Sequence, residues 1–399
     1  MLRPCPVCCG KARTALFHQT FSAFSGKSLL NGYNIVTCNI CGCGFADDIP
    51  SQAHFDTYYR ELSKYEYQHR DGAESPEDLD RFQTIAKVLE SFIPSAETRI
   101  LEVGCATGRL LGLLKEAGFP NVAGLDPSPS CGEAARRLYG VPVRTGSLHD
   151  LLEDDSQVEL LILIGVLEHL HDLRPALNSL HRKLSTGGLI YVEVPDVTGF
   201  EHFLDAPYQQ FSIEHVIFFS PASLKAALAA EGFHPLLLKQ ESRPHSGAST
   251  MPVLWGVFEK TEPESVGNAQ DLDTRNALEA YIQASARVES ALTLRIDALV
   301  ETRQPLLVWG VGTLTRRLLA MTRLGEANIV AFIDSNPNLQ GQSFHGIPVL
   351  SPNEIASKEE VILIASWVFA DEIERQILQG LGYKNKIIRL GGETASQRN

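Results

Sequence analysis

Residues 99–119, RILEVGCATGRLLGLLKEAGF, decide the fold. Ile100 to Val103 is a short apolar run that reads as a strand, Gly104-Cys105-Ala106-Thr107-Gly108 as a tight loop, and Arg109 to Ala117 as a helix with apolar residues at helical spacing. Glycines in such a loop let the backbone approach a bound nucleoside with no Cβ in the way. A second strand, VAGLDPS, ends in Asp126, which lies 24 residues after Glu102. An acid there can accept both hydroxyls of a ribose. The loop is E-x-G-x-x-x-G, not the G-x-G-x-x-G that cradles a pyrophosphate. An acid just before the loop repels phosphate and suits a ligand that carries positive charge beside its nucleoside.

Further elements follow in order. These are GSLHDL (146–151), LLILIGVLEHLHD (160–172) and GGLIYVEVPD (187–196). Before them, apolar residues from Leu79 to Phe92 recur at helical spacing and Pro94 closes the segment. Taken together this series resembles the class I S-adenosylmethionine-dependent methyltransferase core, an α/β fold of Rossmann type, with 160–172 similar to its fourth strand and following loop and 187–196 similar to its fifth. The resemblance implies that S-adenosylmethionine is held by Glu102, Gly104, Cys105, Gly108 and Asp126, with Ser147 and Leu148 at the adenine and Gly165 beside the cofactor. Two positions depart from that pattern: Glu159 stands where an aspartate is common, and Ile164-Gly165 replaces a polar pair. Cys105 also reads simply as a small packed side chain.

At 399 residues the chain exceeds what a single core of about 250–300 residues usually holds, so more than one domain is expected. Hydrophobic residues make up 44% and charged residues 21%, ordinary globular values. The formal net charge of −13 opposes binding to a phosphate backbone, so no nucleic-acid partner is expected. The longest apolar run falls short of the roughly 18 residues that span a bilayer, and the N-terminus, MLRPCPVCCGK, has no apolar signal core. The expectation is a cytoplasmic protein with no membrane partner.

Six of the eight cysteines lie in the first 43 residues. Cys5-Pro-Val-Cys8 and Cys38-Asn-Ile-Cys41 are two CxxC knuckles, a spacing that lets both sulfurs of each pair face one ion. A zinc ribbon is the leading reading; a redox dithiol, an iron–sulfur site and disulfides are the alternatives. Pro6 stiffens the first knuckle and Gly42 fits the turn of the second. The extra thiols Cys9 and Cys43 are not assigned to the metal. Tyr58, Tyr59, Tyr65 and Tyr67 follow, either as a cover for the ribbon or as a lid over a ligand of the next domain.

Beyond Lys260 the polar stretch TEPESVGNAQD reads as a linker. Leu278, Ile282, Leu292, Ile296 and Leu299 then mark a connecting helix. PLLVWGVGTLTRRLLAMTRL and NIVAFIDSNP repeat the strand, loop, helix, strand scheme as a second Rossmann-like unit. Gly310 and Gly312 begin a dinucleotide fingerprint whose third glycine is Thr315. One reading is NAD on this loop with Asp334 at the ribose. Arg316 and Arg317 read as phosphate ligands or as solvated surface charge.

The paired knuckles, the core, the element Glu214-His215-x-x-x-Phe-Ser within FSIEHVIFFS (211–220) and the second Rossmann-like unit together resemble the zinc-containing deoxysugar C-methyltransferases. So do His245-Ser246-Gly247 and SWVFADEI (366–373). The resemblance implies three parts: a zinc-binding ribbon and lid at 1–70, the methyltransferase core at 71–260, and a linker helix with an acceptor-binding domain at 261–399. It implies transfer of a methyl group to carbon of a nucleotide-linked keto-deoxysugar, a small-molecule partner, with Glu214 and His215 as an acid–base dyad inside a wall of Phe211, Phe218 and Phe219. Where the family reads Tyr-His-Glu-His, this chain has Ser212-Ile213-Glu214-His215. His171 or a nearby tyrosine is then the candidate to compensate. O-methylation and a cofactor-binding subunit without turnover are the alternatives, and a structural ion pair is the plain reading of the dyad.

Overall fold

The computed structural model describes residues 3–23, 29–62, 76–153, 156–204, 206–246, 249–263 and 270–391. Tyr65, Tyr67, Gly247 and most of the polar linker lie outside the described residues. Strands β1 (Arg13–Thr20), β2 (Gly32–Cys38) and β3 (Gly44–Asp47) form an antiparallel ribbon, and helix α1 (Gln52–Leu62) follows it. Both cysteine knuckles sit at one end of this ribbon. Gly42 turns the second knuckle at φ +83°, and a Cβ on it would come within 1.9 Å of the Asp271 carbonyl oxygen. Only glycine satisfies both demands.

The central part contains helix α2 (Pro76–Glu90), β4 (Ile100–Val103), α3 (Arg109–Glu116), β5 (Val122–Asp126), α4 (Pro129–Tyr139), β6 (Val143–Thr145), β7 (Val158–Ile164), α5 (Leu173–Lys183) and β8 (Leu184–Pro195). Then come β9 (Ile217–Phe218), α6 (Pro221–Ala229), β10 (Phe233–Ser246) and β11 (Ser249–Lys260). Its seven-stranded sheet runs β10-β11-β8-β7-β4-β5-β6, with β11 antiparallel to both of its neighbours and the other strands running one way. All four residues of β4 are buried, as are most of β7, because helices cover both faces of a parallel sheet. The strand order reverses beside β4, so the loops after β4, β5 and β7 open into one crevice at the carboxyl edge of the sheet, where ligands of open α/β sheets bind.

Strand β9 leaves this part and joins the ribbon: Gly44 pairs with Phe218 and Phe45 with Ile217. The ribbon and the core therefore share a sheet through FSIEHVIFFS. One hydrophobic cluster runs through both, from Cys5 and Phe45 to Phe211, Phe218 and Leu224.

Helix α7 (Asp273–Thr302) leads to the last part: β12 (Leu306–Trp309), α8 (Thr313–Met321), β13 (Ile329–Ile333), β14 (Ser343–Phe344), β15 (Ile347–Leu350), β16 (Val361–Ile364), α9 (Ala370–Arg375) and β17 (Ile387–Arg389). Its six strands lie in the order β14-β15-β13-β12-β16-β17, mostly parallel, which is the second Rossmann-like unit. Among the described residues no helix is long and apolar enough to cross a membrane.

The structure corrects both readings of Arg316 and Arg317. Neither is solvated, at 6% and 2% exposure. Arg317 grips Glu289 of α7 with Nε and Nη2 at 2.6 and 2.9 Å, donates to Gln19 of β1, and stacks on Tyr208 at 3.8 Å from the ring centroid. Arg316 donates to the Ser22 carbonyl at 3.1 Å. Buried cations of this kind need such partners, and here the partners come from all three parts of the chain. Arg317 is a fastener, with its guanidinium already committed.

Candidate functional site

A cleft opens at the carboxyl edge of β4, β5 and β7. Its floor is Val103 and Gly104, one wall is Asp126, Ser147 and Leu148, another is Gly165, Val166 and His169, and Gln52, Asp56 and Tyr59 of α1 roof it. Gly104 sits at φ +73°, where a Cβ would meet Val166 Cγ2 at 2.7 Å. Asp126 is fixed by two backbone amides: Oδ2 accepts from Ala106 N at 2.8 Å and Oδ1 from Ser128 N at 2.9 Å. Glu102 is 4% exposed and its Oε2 has no hydrogen-bond partner among the described residues. Burial, and then the neighbouring Asp126, push its carboxyl well above the usual range. An orphaned buried carboxylate beside a glycine cradle fits a cationic nucleoside ligand. The residues present therefore fit S-adenosylmethionine: Asp126, Ser147 and Leu148 line the cleft, and Glu102 is buried next to Val103 of its floor.

Two of the expected cofactor residues serve from behind. The Cys105 side chain packs into the sheet, where a Cβ on Gly124 would lie 2.4 Å from its sulfur. Gly108, at φ +77°, closes the loop through Gly108 N to Cys105 O at 2.8 Å and starts α3. Glu159 pairs with Arg99 at the opposite end of the strands and takes no part in the cleft.

Next to the cleft the loop after β7 meets the segment 211–216. Val216 N donates to Glu168 O at 2.8 Å, and His169 Nδ1 lies 3.0 Å from Glu214 O. This brings Glu168, His169, Glu214 and His215 together, with the His169 and His215 rings edge to face at 4.9 Å. The tyrosines of α1 close over them. Tyr58 Oη donates to Glu214 Oε1 at 3.1 Å, and Tyr59 Oη lies 2.8 Å from His169 Nδ1. Burial, then the Glu214 charge, push the Tyr58 phenol well up. Burial also lifts the Glu168 carboxyl to about 8. Phe211, Phe218 and Phe219 are buried and pack around the segment, in which Glu214 and His215 are half-buried.

Ser212 has a defined local task. Its Oγ accepts from Glu214 N at 3.2 Å and His215 N at 3.1 Å, a hydroxyl-capped turn that presents both side chains, while its carbonyl accepts from Tyr33 Oη at 2.7 Å. His171 is not brought into this group. Its Nδ1 meets Asp172 at 2.5 Å, its backbone amide donates to Gln52, and it is not among the residues that line the cleft. His169 holds the place expected of it. The alternation of side chains in a tight turn decides between two histidines two residues apart, and sequence spacing does not reveal its phase.

The four cysteine sulfurs of Cys5, Cys8, Cys38 and Cys41 lie within 4.8 Å of one another, with Cys5 to Cys41 at 3.6 Å and Cys8 to Cys38 at 3.4 Å. Sulfurs at 2.3 Å from a tetrahedral ion are about 3.8 Å apart, so this donor set fits Zn2+. Cys9 turns outward to Arg174, at 3.4 Å, and Cys43 is buried against Gly44 O.

In the second Rossmann-like unit Asp334 is held as Asp126 is: Oδ2 accepts from Val311 N and Oδ1 from Asn336 N, both at 2.9 Å. Thr315, in the place of the third glycine, is fully buried and its hydroxyl donates to Gly310 O at 2.7 Å.

Comparison with known proteins agrees with this geometry. A family described as a methyltransferase domain matches residues 77–238, and one described as C2185-like, N-terminal, matches residues 302–388. The chain is 25% identical over 302 residues to the C-methyltransferase NovU of Streptomyces niveus, covering 71% of this chain and 70% of that one. It is 27% identical to an O-methyltransferase of Pyrenophora dematioidea, covering 40% of this chain and 64% of that one. It is also 27% identical to a tRNA U34 carboxymethyltransferase of Vibrio cholerae, over 39% of this chain and 51% of that one. Among solved structures, a chain from a study of disulfide-to-thioacetal conversion during echinomycin biosynthesis matches at 20% identity and TM-score 0.41, covering 54% of this chain and 93% of that one. The chain is a class I S-adenosylmethionine-dependent methyltransferase.

Proposed function

We propose that the protein transfers a methyl group from S-adenosylmethionine to a ring carbon of a nucleotide-linked keto-deoxysugar, with Zn2+ held by Cys5, Cys8, Cys38 and Cys41 as a structural ion. The observation that carries this reading is the half-buried group of Glu214, His215 and His169, gathered where His169 lines the cofactor cleft. The likeness to NovU, a C-methyltransferase, supports it. When bound, S-adenosylmethionine supplies an electrophilic methyl group on a sulfonium.

The remaining work falls to this chain. A carbon beside a ketone is a weak acid, and in this reading His215 is the base that takes its proton. Glu214, held by Tyr58, grips a sugar hydroxyl or steadies the imidazolium. The phenylalanine wall keeps those charges effective. A small-molecule acceptor accords with the net charge of −13 better than tRNA does.

Purified protein incubated with S-adenosylmethionine and a panel of nucleotide-linked 4-keto sugars tests this directly, with fragment masses locating the new methyl. Gain on ring carbon is expected, together with solvent-deuterium exchange at the carbon beside the ketone without cofactor. His215→Ala and Glu214→Gln should lose at least about 100-fold in turnover at near-normal cofactor affinity. Methyl gain on oxygen, or no loss in either variant, refutes the reading.

A further inference from the structure

The residues that form the acceptor mouth also compose a donor set of a different kind. One acceptor atom each of Glu168, His169 and His215 lies within 4.8 Å of the other two. Two imidazoles and one carboxylate on one face is a ligand set suited to borderline first-row divalent cations. The three come from two loops that the backbone zips together through Val216 N to Glu168 O and His169 Nδ1 to Glu214 O. The cluster is therefore a built feature, since each loop is tied at the point where it presents a donor.

A second observation points to a ligand. Glu168 is 3% exposed, and its Oε2 has no hydrogen-bond partner among the described residues. Its Oε1 lies 3.8 Å from His169 Nε2. His169 Nδ1 is held between Tyr59 Oη at 2.8 Å and the Glu214 carbonyl at 3.0 Å, which turns Nε2 towards the Glu168 carboxyl. Such support of the far ring nitrogen is usual for a metal-bound histidine. Donors at about 2.1 Å from an ion lie roughly 3 to 3.5 Å apart, so closure by about 1 Å, within reach of ring rotation, completes the set.

We infer that Glu168, His169 and His215 form a second metal site, separate from the four cysteines, that takes one borderline divalent cation such as Co2+, Zn2+ or Fe2+. His169 lines the cofactor cleft, so the open coordination positions face that cleft. An ion there occupies the lone pair of His215, and the loaded site and the free base exclude one another. The site itself does not depend on which acceptor the enzyme uses.

The test is metal stoichiometry, read without turnover. Chelator-stripped full-length protein is titrated with Co2+. The first equivalent should give the intense thiolate-to-cobalt band of the cysteine site. A second equivalent should bind at micromolar concentration with only the weak visible bands of nitrogen and oxygen ligands. Glu168→Gln and His169→Asn should each weaken the second equivalent about tenfold or more and leave the thiolate band unchanged. Cys41→Ser should do the reverse, so a folding defect in one variant is caught by the other site. Binding of one equivalent only, a second equivalent at millimolar concentration only, or a second equivalent untouched by both cluster variants overturns the proposal.

Discussion

Glu102→Gln isolates the charge that distinguishes this cleft from a phosphate-binding one. The substitution keeps shape and removes only the carboxylate, so differences report on electrostatics. Glu102 is buried, its Oε2 is without a partner among the described residues, and Asp126 stands beside it. A hydrogen bond to a charged group in such a place contributes about 1.5 to 3 kcal/mol. At about 1.4 kcal/mol per tenfold, S-adenosylmethionine should bind about 10- to 150-fold more weakly to the variant, whereas adenosine, which lacks the cation, should bind nearly as before. The pH dependence follows from the raised carboxyl. In the free protein Glu102 keeps its proton above the ordinary carboxylate range, and a cationic ligand selects the charged form. Wild-type affinity for S-adenosylmethionine should therefore climb with pH up to the free-protein pKa and then level, with a proton released on binding; the variant should be flat. Stability of the free protein moves the other way. The folded state holds a proton that the unfolded chain has shed above about pH 4.3, so the stability from Glu102 is complete below that pH and is lost as pH rises through the folded pKa. Calorimetry in buffers of different ionisation enthalpy reads both effects. Equal weakening of S-adenosylmethionine and adenosine would refute the argument, because the carboxylate would then be serving the nucleoside and not the cation.

Arg317→Met removes one partner of a buried pair and leaves Glu289 and Gln19 facing apolar surface, so a loss of about 3 to 5 kcal/mol is expected in denaturant unfolding; a midpoint within error of wild type would show that the fastener contributes nothing. Ser212→Ala strips the acceptor from two backbone amides, with an expected cost of about 1 to 2 kcal/mol and a fall in kcat at constant cofactor affinity. Unchanged kcat would mean that the turn does not aim His215. Cys41→Ser should bring zinc per chain, by elemental analysis, from one towards none in the absence of added metal; full retention would remove Cys41 from the ligand set.

Local patterns made much of this molecule legible. The strand, loop and helix of residues 99–119 need only neighbours in sequence, and so do the CxxC knuckles, whose spacing alone brings two sulfurs to one side. Pairings that cross the chain were not legible. Arg317 reads as an exposed helical arginine until Gln19, 298 residues away, receives it. His169 and His171 differ only in the phase of a turn that is set by Val216, far along the chain. Tyr58 reads as a ribbon cover or as part of a lid, and its bond to Glu214, which decides its place, spans 156 residues. The hydrophobic pattern carries none of these, because a polar side chain becomes a core residue only once a distant partner satisfies it.

Asp271 shows how far such a partner reaches. It closes the polar stretch that reads as a linker, yet it is 5% exposed. Its amide donates to Cys41 O at 2.8 Å, its carboxylate accepts from Ser220 Oγ at 2.5 Å and from Thr274 Oγ1 at 2.6 Å, and its carbonyl lies against Gly42. Ser220 is the last residue of FSIEHVIFFS and caps α6. The second cysteine knuckle is thus one residue removed from the segment that carries Glu214 and His215, and β3 pairs with β9 of that segment as well. Losing the order of the knuckle frees Asp271, Ser220 and the β9 edge together. A metal ion held by the four cysteines would therefore act on the segment that carries Glu214 and His215, because that segment is hydrogen-bonded to the ribbon.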